Sequence, residues 1–420
     1  MREVAVIADD LTGAADCGIA FAVAGVTTFV AFAEGPVPAR ARVVAIDTDS
    51  RQLSRAGAEE RARAAGRRAV DEGWRTIYRK IDSTLRGHVG AELAATLAVA
   101  GRAEGQDRLL VVAPAFPAVG RTTQDGRVLV GGVPLDETEV WRKSGMTGPS
   151  EPASMLRVAG VPSEVAPLAT VRAGPEALAG TLAELVRRGV RAVVCDAAEE
   201  GDLTCVAEAG ARLAIPPLWA GSAGLARHLP AALGLAREAS APAAIEATAD
   251  GPVLLLVGSR SSVSREQARR VAAQPDVETI ALPPEDLLAG GPDLGRASAR
   301  VAAALAAGRD VLVLISLETV LGLEQGPALA AALARLAAAH VSMLRGLVAT
   351  GGDVARAALQ ALGASGIELV GEVEPGIPLG LARGARTLPV VTKAGAFGSE
   401  EALSRCRAAL RRAPAAPGRS

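Results

Sequence analysis

The chain of 420 residues carries 45 Lys plus Arg against 46 Asp plus Glu; half of its residues are hydrophobic and only 2% are aromatic. Near-neutral charge, with no basic stripe and no aromatic platform, excludes the usual nucleic-acid binders, and apolar runs of about five residues are far short of the ~20 that span a bilayer. Two domains of roughly 200 residues are expected at this length.

Strand-like runs alternate with alanine-rich helical stretches. The first run, Val4 to Ala8, follows Met1-Arg2-Glu3 with no apolar signal segment, so a cytoplasmic protein is expected. It ends in Asp9-Asp10-Leu11-Thr12-Gly13, an acidic turn before a helix, at the edge where open α/β sheets place ligands. Either Asp10 or Thr12 can cap that helix. Two adjacent carboxylates plus Asp16 exceed what a cap requires; hydroxyl binding, proton abstraction and magnesium all suit them. Strand Val43 to Asp47 leads to Arg51, which suits a substrate carboxylate. After a helix over Ala56 to Glu72, strand Thr76 to Lys80 ends in a cluster of Lys80, Asp82, Ser83, Thr84 and Arg86, fitted to a ligand bearing both carboxylate and hydroxyl groups. Strand Leu109 to Ala113 opens a stretch to Val165, rich in Gly, Pro and Thr, which reads as a long functional loop carrying Arg121, Thr122, Thr123 and Asp125. Helix Pro175 to Arg188 and strand Ala192 to Asp196 follow in a first domain of residues 1–230, and the Ala- and Pro-rich segment 231–251 reads as a linker.

The second domain, 252–412, opens with strand Val253 to Val257 and the small-residue turn Gly258-Ser259 before a helix over Ser264 to Ala273. N–H groups and the dipole at such a helix start favour phosphate. Strand Val311 to Ser316, helix Pro327 to Ala339 and strands Gly346 to Thr350 and Thr387 to Thr392 continue the alternation, and the last two strands run into Thr350-Gly351-Gly352-Asp353 and Thr392-Lys393-Ala394-Gly395-Ala396-Phe397-Gly398. Three such turns in one domain read as a nucleotide cradle. No GxxxxGK[ST] and no well-placed GxGxxG occurs, so neither a Walker-type NTPase nor a dinucleotide enzyme is indicated. The tail 413–420 is expected to be disordered.

Lysine is confined to Lys80, Lys143 and Lys393 in a chain otherwise rich in arginine, and two of the three fall in these motifs, where a compact ammonium can meet a single oxygen. Cys17, Cys195, Cys205 and Cys406 form no CxxC pair and no metal-ligand spacing with His88, His228 or His340, so reduced, buried thiols are expected and metal ligands stay unassigned. The expected fold class is α/β: two three-layer α/β/α domains with largely parallel sheets and the active site in the cleft between them.

The segments IADDLTGA (7–14), KIDSTLRG (80–87), APAFPAVGRTT (113–123), GSAGLA (221–226), TGGD (350–353) and TKAGAFG (392–398) occur in an order that resembles the four-carbon acid sugar kinase family over nearly the whole chain. The resemblance implies an ATP-dependent kinase that phosphorylates the terminal hydroxyl of erythronate, threonate or a 3-oxo-tetronate, with the sugar acid on the N-terminal domain and ATP on the C-terminal one. It implies substrate contacts at Asp9, Arg51, Lys80, Ile81, Asp82 and Ser83, to which the clusters above add Thr12, Arg86 and Arg121. The implied ATP contacts are Ser259, Gly351, Gly352, Asp353 and Gly395, with Thr350, Lys393 and Gly398 from the same turns. Asp9, Asp10 and Lys80 are the candidate catalytic residues. In this scheme Lys80 and Arg51 hold the substrate carboxylate, Asp9 or Asp10 orients the attacking hydroxyl, and Mg²⁺, Lys393 and helix-start amides neutralise the phosphate. Ala15, Cys17 and His88 depart from the family's pattern on the substrate side and Val354 on the ATP side. The expected partners are the sugar acid and ATP, with a homodimer as the assembly to test. A non-catalytic sugar-acid sensor and an ATP-dependent ligase acting through an acyl phosphate are the alternatives.

Overall fold

The computed structural model describes residues 1–103, 105–146, 148, 150–236, 250–259, 261–316 and 325–412, so most of the expected linker and the tail 413–420 lie outside the described residues. The chain divides into two compact units, residues 1–28 with 32–238 and residues 29–31 with 239–420.

In the first unit, β1 (Val4–Ala8), β2 (Val43–Asp47), β3 (Thr76–Lys80), β4 (Leu110–Ala113), β5 (Ser163–Ala166), β6 (Ala192–Cys195) and β7 (Leu218–Gly221) lie in the order β5-β6-β4-β7-β3-β1-β2. Every one of these pairings is parallel. Helices on the faces explain the unbroken apolar runs: β1 is buried at all of its positions. Successive connections place β2 on one side of β1 and β3 on the other, which opens a crevice at the C-terminal edge of β1. Helix α1 (Leu11–Val23) starts there. Asp10, in extended conformation, is its cap, accepting from Gly13 N at 3.1 Å, while Thr12 donates to Asp10 Oδ2 at 2.6 Å. Helix α2 (Arg55–Asp71) begins one residue before its expected start because Ser54 caps it through Gly57 N.

The stretch from Pro114 to Val165 is not the irregular loop expected. It holds an antiparallel hairpin, Arg121–Gln124 with Arg127–Val130, a helix Pro152–Val158 and most of β5. The hairpin turns on Asp125-Gly126, both at positive φ, the twist that suits a two-residue connection. Pro152 stands at the start of its helix, where the missing N–H costs nothing. Glycine and proline here punctuate short elements instead of preventing them.

In the second unit, β8 (Val253–Val257), β9 (Val277–Leu282), β10 (Asp310–Ile315), β11 (Gly346–Thr350), β12 (Ala364–Glu372), β13 (Pro378–Gly384) and β14 (Leu388–Lys393) lie in the order β12-β13-β14-β11-β8-β10-β9. From β14 to β9 the pairings are parallel, and β12, β13 and β14 pair antiparallel. The register sets Val257 beside Thr350 and Thr350 beside Lys393, so the three small-residue turns start level on adjacent strands. Leu255, Val271, Leu312, Val348, Val391 and Leu403 fill the core beneath them.

Candidate active site

Three strand ends of the first unit bring Asp9, Arg51 and Lys80 together. Arg51 is a double fork. Its Nε and Nη2 donate to Asp9 Oδ2 and Oδ1 at 2.6 and 2.8 Å, and its Nη1 and Nη2 donate to Asp10 Oδ2 and Oδ1 at 2.9 and 2.8 Å. Bidentate pairing of this kind fixes both carboxylates in orientation as well as in charge. Lys80 Nζ stands 3.4 Å from Asp10 Oδ1 and 3.7 Å from Asp9 Oδ1. It passes directly over Gly13, where a Cβ would lie 2.3 Å from Nζ, so only glycine leaves it this path. Burial opposes the ionisation of Asp10, but Arg51 and Lys80 outweigh it and hold the carboxyl well below the usual range. Burial likewise disfavours the Lys80 ammonium, and Asp10 and Asp9 more than restore it, raising its pKa.

The next turn adds Asp82, buried and gripped by Arg86 through Nε at 3.1 Å and Nη2 at 2.6 Å, with Thr84 N donating at 2.9 Å and the Thr84 hydroxyl also bonded to it. Arg51 Nη2 lies 3.8 Å from Asp82 Oδ2, which joins the two groups. Burial again opposes the charge on Asp82, and Arg86 and Arg51 overcome it, so its pKa is well below the ordinary value. Ile81 is buried, its N–H donating to Gly221 O at 2.8 Å, and Ser83 is half-buried on the same turn. Arg121 donates to Val119 O at 2.9 Å; burial lowers its pKa, and the fields of Asp82 and Arg86 reach it. His88 Nε2 donates to Leu53 O at 2.9 Å.

Beneath the cluster lies a network that reading the sequence missed. Arg79, fully buried, donates from Nη1 to Ile7 O at 2.9 Å and from Nη2 to Glu92 Oε1 at 2.5 Å; Ser50 Oγ donates to the same Glu92 oxygen at 2.7 Å. Thr48 Oγ1 donates to Ala8 O at 2.8 Å, and Ser50 N to Asp9 O at 3.0 Å. These bonds tie together the ends of β1, β2 and β3 that carry Asp9, Arg51 and Lys80. The signal was present: Glu92 is the only charge in the helix α3 segment Val89–Ala100, and a lone charge among alanines and leucines calls for a buried partner.

In the second unit Ser259, Gly351 and Gly395 converge. A Cβ on Gly395 would lie 2.1 Å from Ser259 Oγ, and one on Gly351 3.7 Å from Ser259 N. Gly351 N donates to Lys393 O at 2.9 Å, and Gly352 and Asp353 open helix α5, as counted from α4 (Ser262–Ala272), over Gly352–Ala361. Thr350 is fully buried, and its hydroxyl has no partner among the described residues. Ser261 and Ser264, also unmarked in the sequence, each donate to Gly395 O at 2.6 Å. Gln267 Nε2 donates to the carbonyls of Phe397, Gly398 and Ser399 at 3.1, 3.4 and 2.7 Å. Lys393 is fully buried, its Nζ donating to the carbonyls of Ala394 at 3.0 Å, Gly395 at 3.3 Å and Phe397 at 2.9 Å. Burial lowers its pKa to about 8. Among the described residues no group of three His, Cys, Asp or Glu forms a ready-made metal cage, and no helix is long and apolar enough to cross a membrane.

Comparison with known proteins covers both units. Residues 4–229 match the sugar-binding N-terminal domain family and residues 254–403 the nucleotide-binding C-terminal domain family. The chain is 44% identical to a D-threonate kinase of Cupriavidus necator over 95% of each chain, and 32% identical to a D-erythronate kinase of Heliobacterium modesticaldum over 97% of this chain and 96% of the other. A solved Salmonella typhimurium protein shares the fold, with a TM-score of 0.82 at 23% identity over 96% of this chain and 98% of that one. With both domain families matched and curated kinases similar along its whole length, the chain belongs to the four-carbon acid sugar kinases and is a phosphotransferase acting on a sugar acid.

Proposed function

We propose that this enzyme transfers the γ-phosphate of ATP to the terminal hydroxyl of a four-carbon sugar acid, with D-threonate, the substrate named for its 44% identical relative, as the first to test. The observation that carries the reading is the Asp9–Arg51–Asp10–Lys80 cluster at the switch point of a parallel sheet. Its members divide the work by their remaining valences. Asp10 already accepts from Gly13 N, Thr12, Arg51 twice and Lys80, which leaves its two oxygens no room and, with its lowered pKa, little basicity. Asp9 accepts only the Arg51 fork as hydrogen bonds among the described side chains and keeps lone pairs for a substrate hydroxyl. Arg51 positions both aspartates. Lys80, whose contacts are long, keeps donors for the substrate carboxylate, with half-exposed Arg86 beside it.

The nucleotide reading rests on the level turns at Ser259, Thr350–Asp353 and Gly395–Gly398. Backbone N–H groups there suit phosphate oxygens. Magnesium fits as a companion carried on the phosphates of ATP, its usual mode of binding, where it would neutralise charge during transfer. A cytoplasmic setting, where ATP is abundant, goes with this reading.

Phosphoryl transfer relies on positioning and charge neutralisation, so removing the hydroxyl-orienting carboxylate is the direct test. Asp9→Asn should lower kcat on D-threonate by about 10²- to 10⁴-fold while KM for ATP holds. Near-normal turnover would sink the role given to Asp9. Phosphorus NMR of the product, with hydroxylamine trapping, separates a phosphomonoester from an acyl phosphate.

A further inference from the structure

The Lys393 ammonium is enclosed by the turn that follows it. Three carbonyls, those of Ala394, Gly395 and Phe397, converge on Nζ at 3.0, 3.3 and 2.9 Å, and Ser264 Oγ stands 3.5 Å away. The side chain is fully buried, so Nζ has no face left for a phosphate oxygen. The turn is held further by Ser261 and Ser264 on Gly395 O, by Gln267 on the carbonyls of Phe397, Gly398 and Ser399, and by Glu374, which accepts from Ser399 N and Oγ at 2.8 Å each. Carbonyls drawn inward turn the N–H groups of the same peptides outward. A turn wound on an internal cation therefore presents donors to an anion on its other side.

We infer that Lys393 is a positioning residue: its ammonium is a built-in monovalent cation that winds residues 394–398 against Ser259 and so pre-forms the nucleotide cradle without touching phosphate. The inference rests on the ATP reading above for its kinetic consequence, but not for its structural one. Arginine could not replace it, because a planar guanidinium exceeds a cage built for one compact ammonium. Other titratable groups facing Nζ are Cys406 on the helix Ala402–Arg412 and Glu374 on the loop before β13, and the thiol of Cys406 is itself pushed up to about 12 by burial, so it stays neutral. Because burial brings the Lys393 pKa down to about 8, the internal cation is lost in mildly alkaline solution.

Three measurements test this. Amide hydrogen exchange of residues 394–399 in nucleotide-free enzyme should quicken at least about tenfold in Lys393→Met, and unchanged exchange overturns the inference whatever ATP does. In steady-state kinetics, Lys393→Met should raise KM for ATP about tenfold or more and leave KM for the sugar acid unaltered; a fall in kcat at unchanged KM for ATP would mean direct contact with the transferring phosphoryl group and refute the positioning role. Lys393→Ala should regain ATP affinity on addition of ammonium or potassium chloride but not of the larger tetramethylammonium chloride, and rescue by all three salts alike counts against a cage. If Lys393→Met folds poorly, wild-type enzyme serves: KM for ATP should rise as Lys393 loses its proton, a loss followed by NMR of Nζ and expected above pH about 8, and a KM that stays flat through that titration overturns the inference. If wild-type enzyme binds no ATP while Lys393→Met still quickens exchange of residues 394–399, the nucleotide reading falls and the cage stands.

Discussion

Changing Glu92 to Gln keeps the shape of a buried partner and removes its charge. The side chains of Arg79 and Glu92 are 1% and 5% exposed and lie 2.5 Å apart, so Arg79 would be left as a charge with no counter-ion in a dry interior. Breaking such a pair costs about 3–5 kcal/mol. Because the Gln oxygen still accepts from Arg79, the lower end is expected, about 3 kcal/mol. For a unit of this size that lowers Tm by roughly 6–12 °C. Tryptophan fluorescence is a selective probe, because Trp74, Trp141 and Trp219 all belong to the first unit. Urea titration followed by that signal should show the loss, whereas the double variant Arg79→Met/Glu92→Leu should recover most of it, since an apolar pair of similar volume replaces an ion pair at little cost. A Glu92→Gln unfolding free energy within about 0.5 kcal/mol of wild type, or a double variant weaker than the single, would refute the reasoning.

Gly13→Ala tests the packing around Lys80. The new Cβ would meet Lys80 Nζ at 2.3 Å and Asp10 Oδ1 at 2.5 Å; the flexible lysine end can swing away, but Asp10, which caps the helix and is held by the Arg51 fork, cannot do so freely, and this outweighs the roughly 1 kcal/mol by which alanine favours a helix. Thermal stability should therefore fall, and kcat/KM for the sugar acid should fall at least about tenfold; retained kcat/KM would show that Lys80 does not need this path. Asp10 sets a pH dependence. Its folded pKa is depressed, so its stabilisation is present above the unfolded value of about 3.9 and is lost as pH falls below it towards the folded value. The difference in unfolding free energy between wild type and Asp10→Asn should be constant from pH 5 to 8 and shrink below about pH 4, and a difference that grows on acidification would contradict the ion-pair account.

The strand ends were legible because each closes a short apolar run with charged or small residues, and a parallel sheet must bring such ends to one edge. Asp9, Arg51 and Lys80 could be gathered on that ground alone. What Arg51 does there could not be read, because sequence shows a cation without showing that two local carboxylates occupy it first. Glu92 and Arg79 were missed for a related reason: a lone charge in an apolar helix hints at a buried partner, but the sequence does not say which residue of another element supplies it. The β12–β13 hairpin escaped because glycines interrupt its alternation. Lys393 drew notice as a rare lysine, but only the inward path of its side chain showed it facing carbonyls.

The crevice at the C-terminal edge of β1 sets Asp9, Asp10 and Asp82 against Arg51, Lys80 and Arg86, three negative groups and three positive ones held within contact of each other. Such a crevice is close to electroneutral from a distance, so it draws anions in only weakly and its occupancy should vary little with ionic strength. Chloride or acetate gains almost nothing by entering, since every cation already has company. On the reading proposed above, a sugar acid would gain by placing a hydroxyl on Asp9 while its carboxylate reached Lys80, and only a molecule whose two ends are the right distance apart could do both. Selection there would then work as a measurement of length and hydroxyl direction, carried out by groups that have cancelled one another's charge.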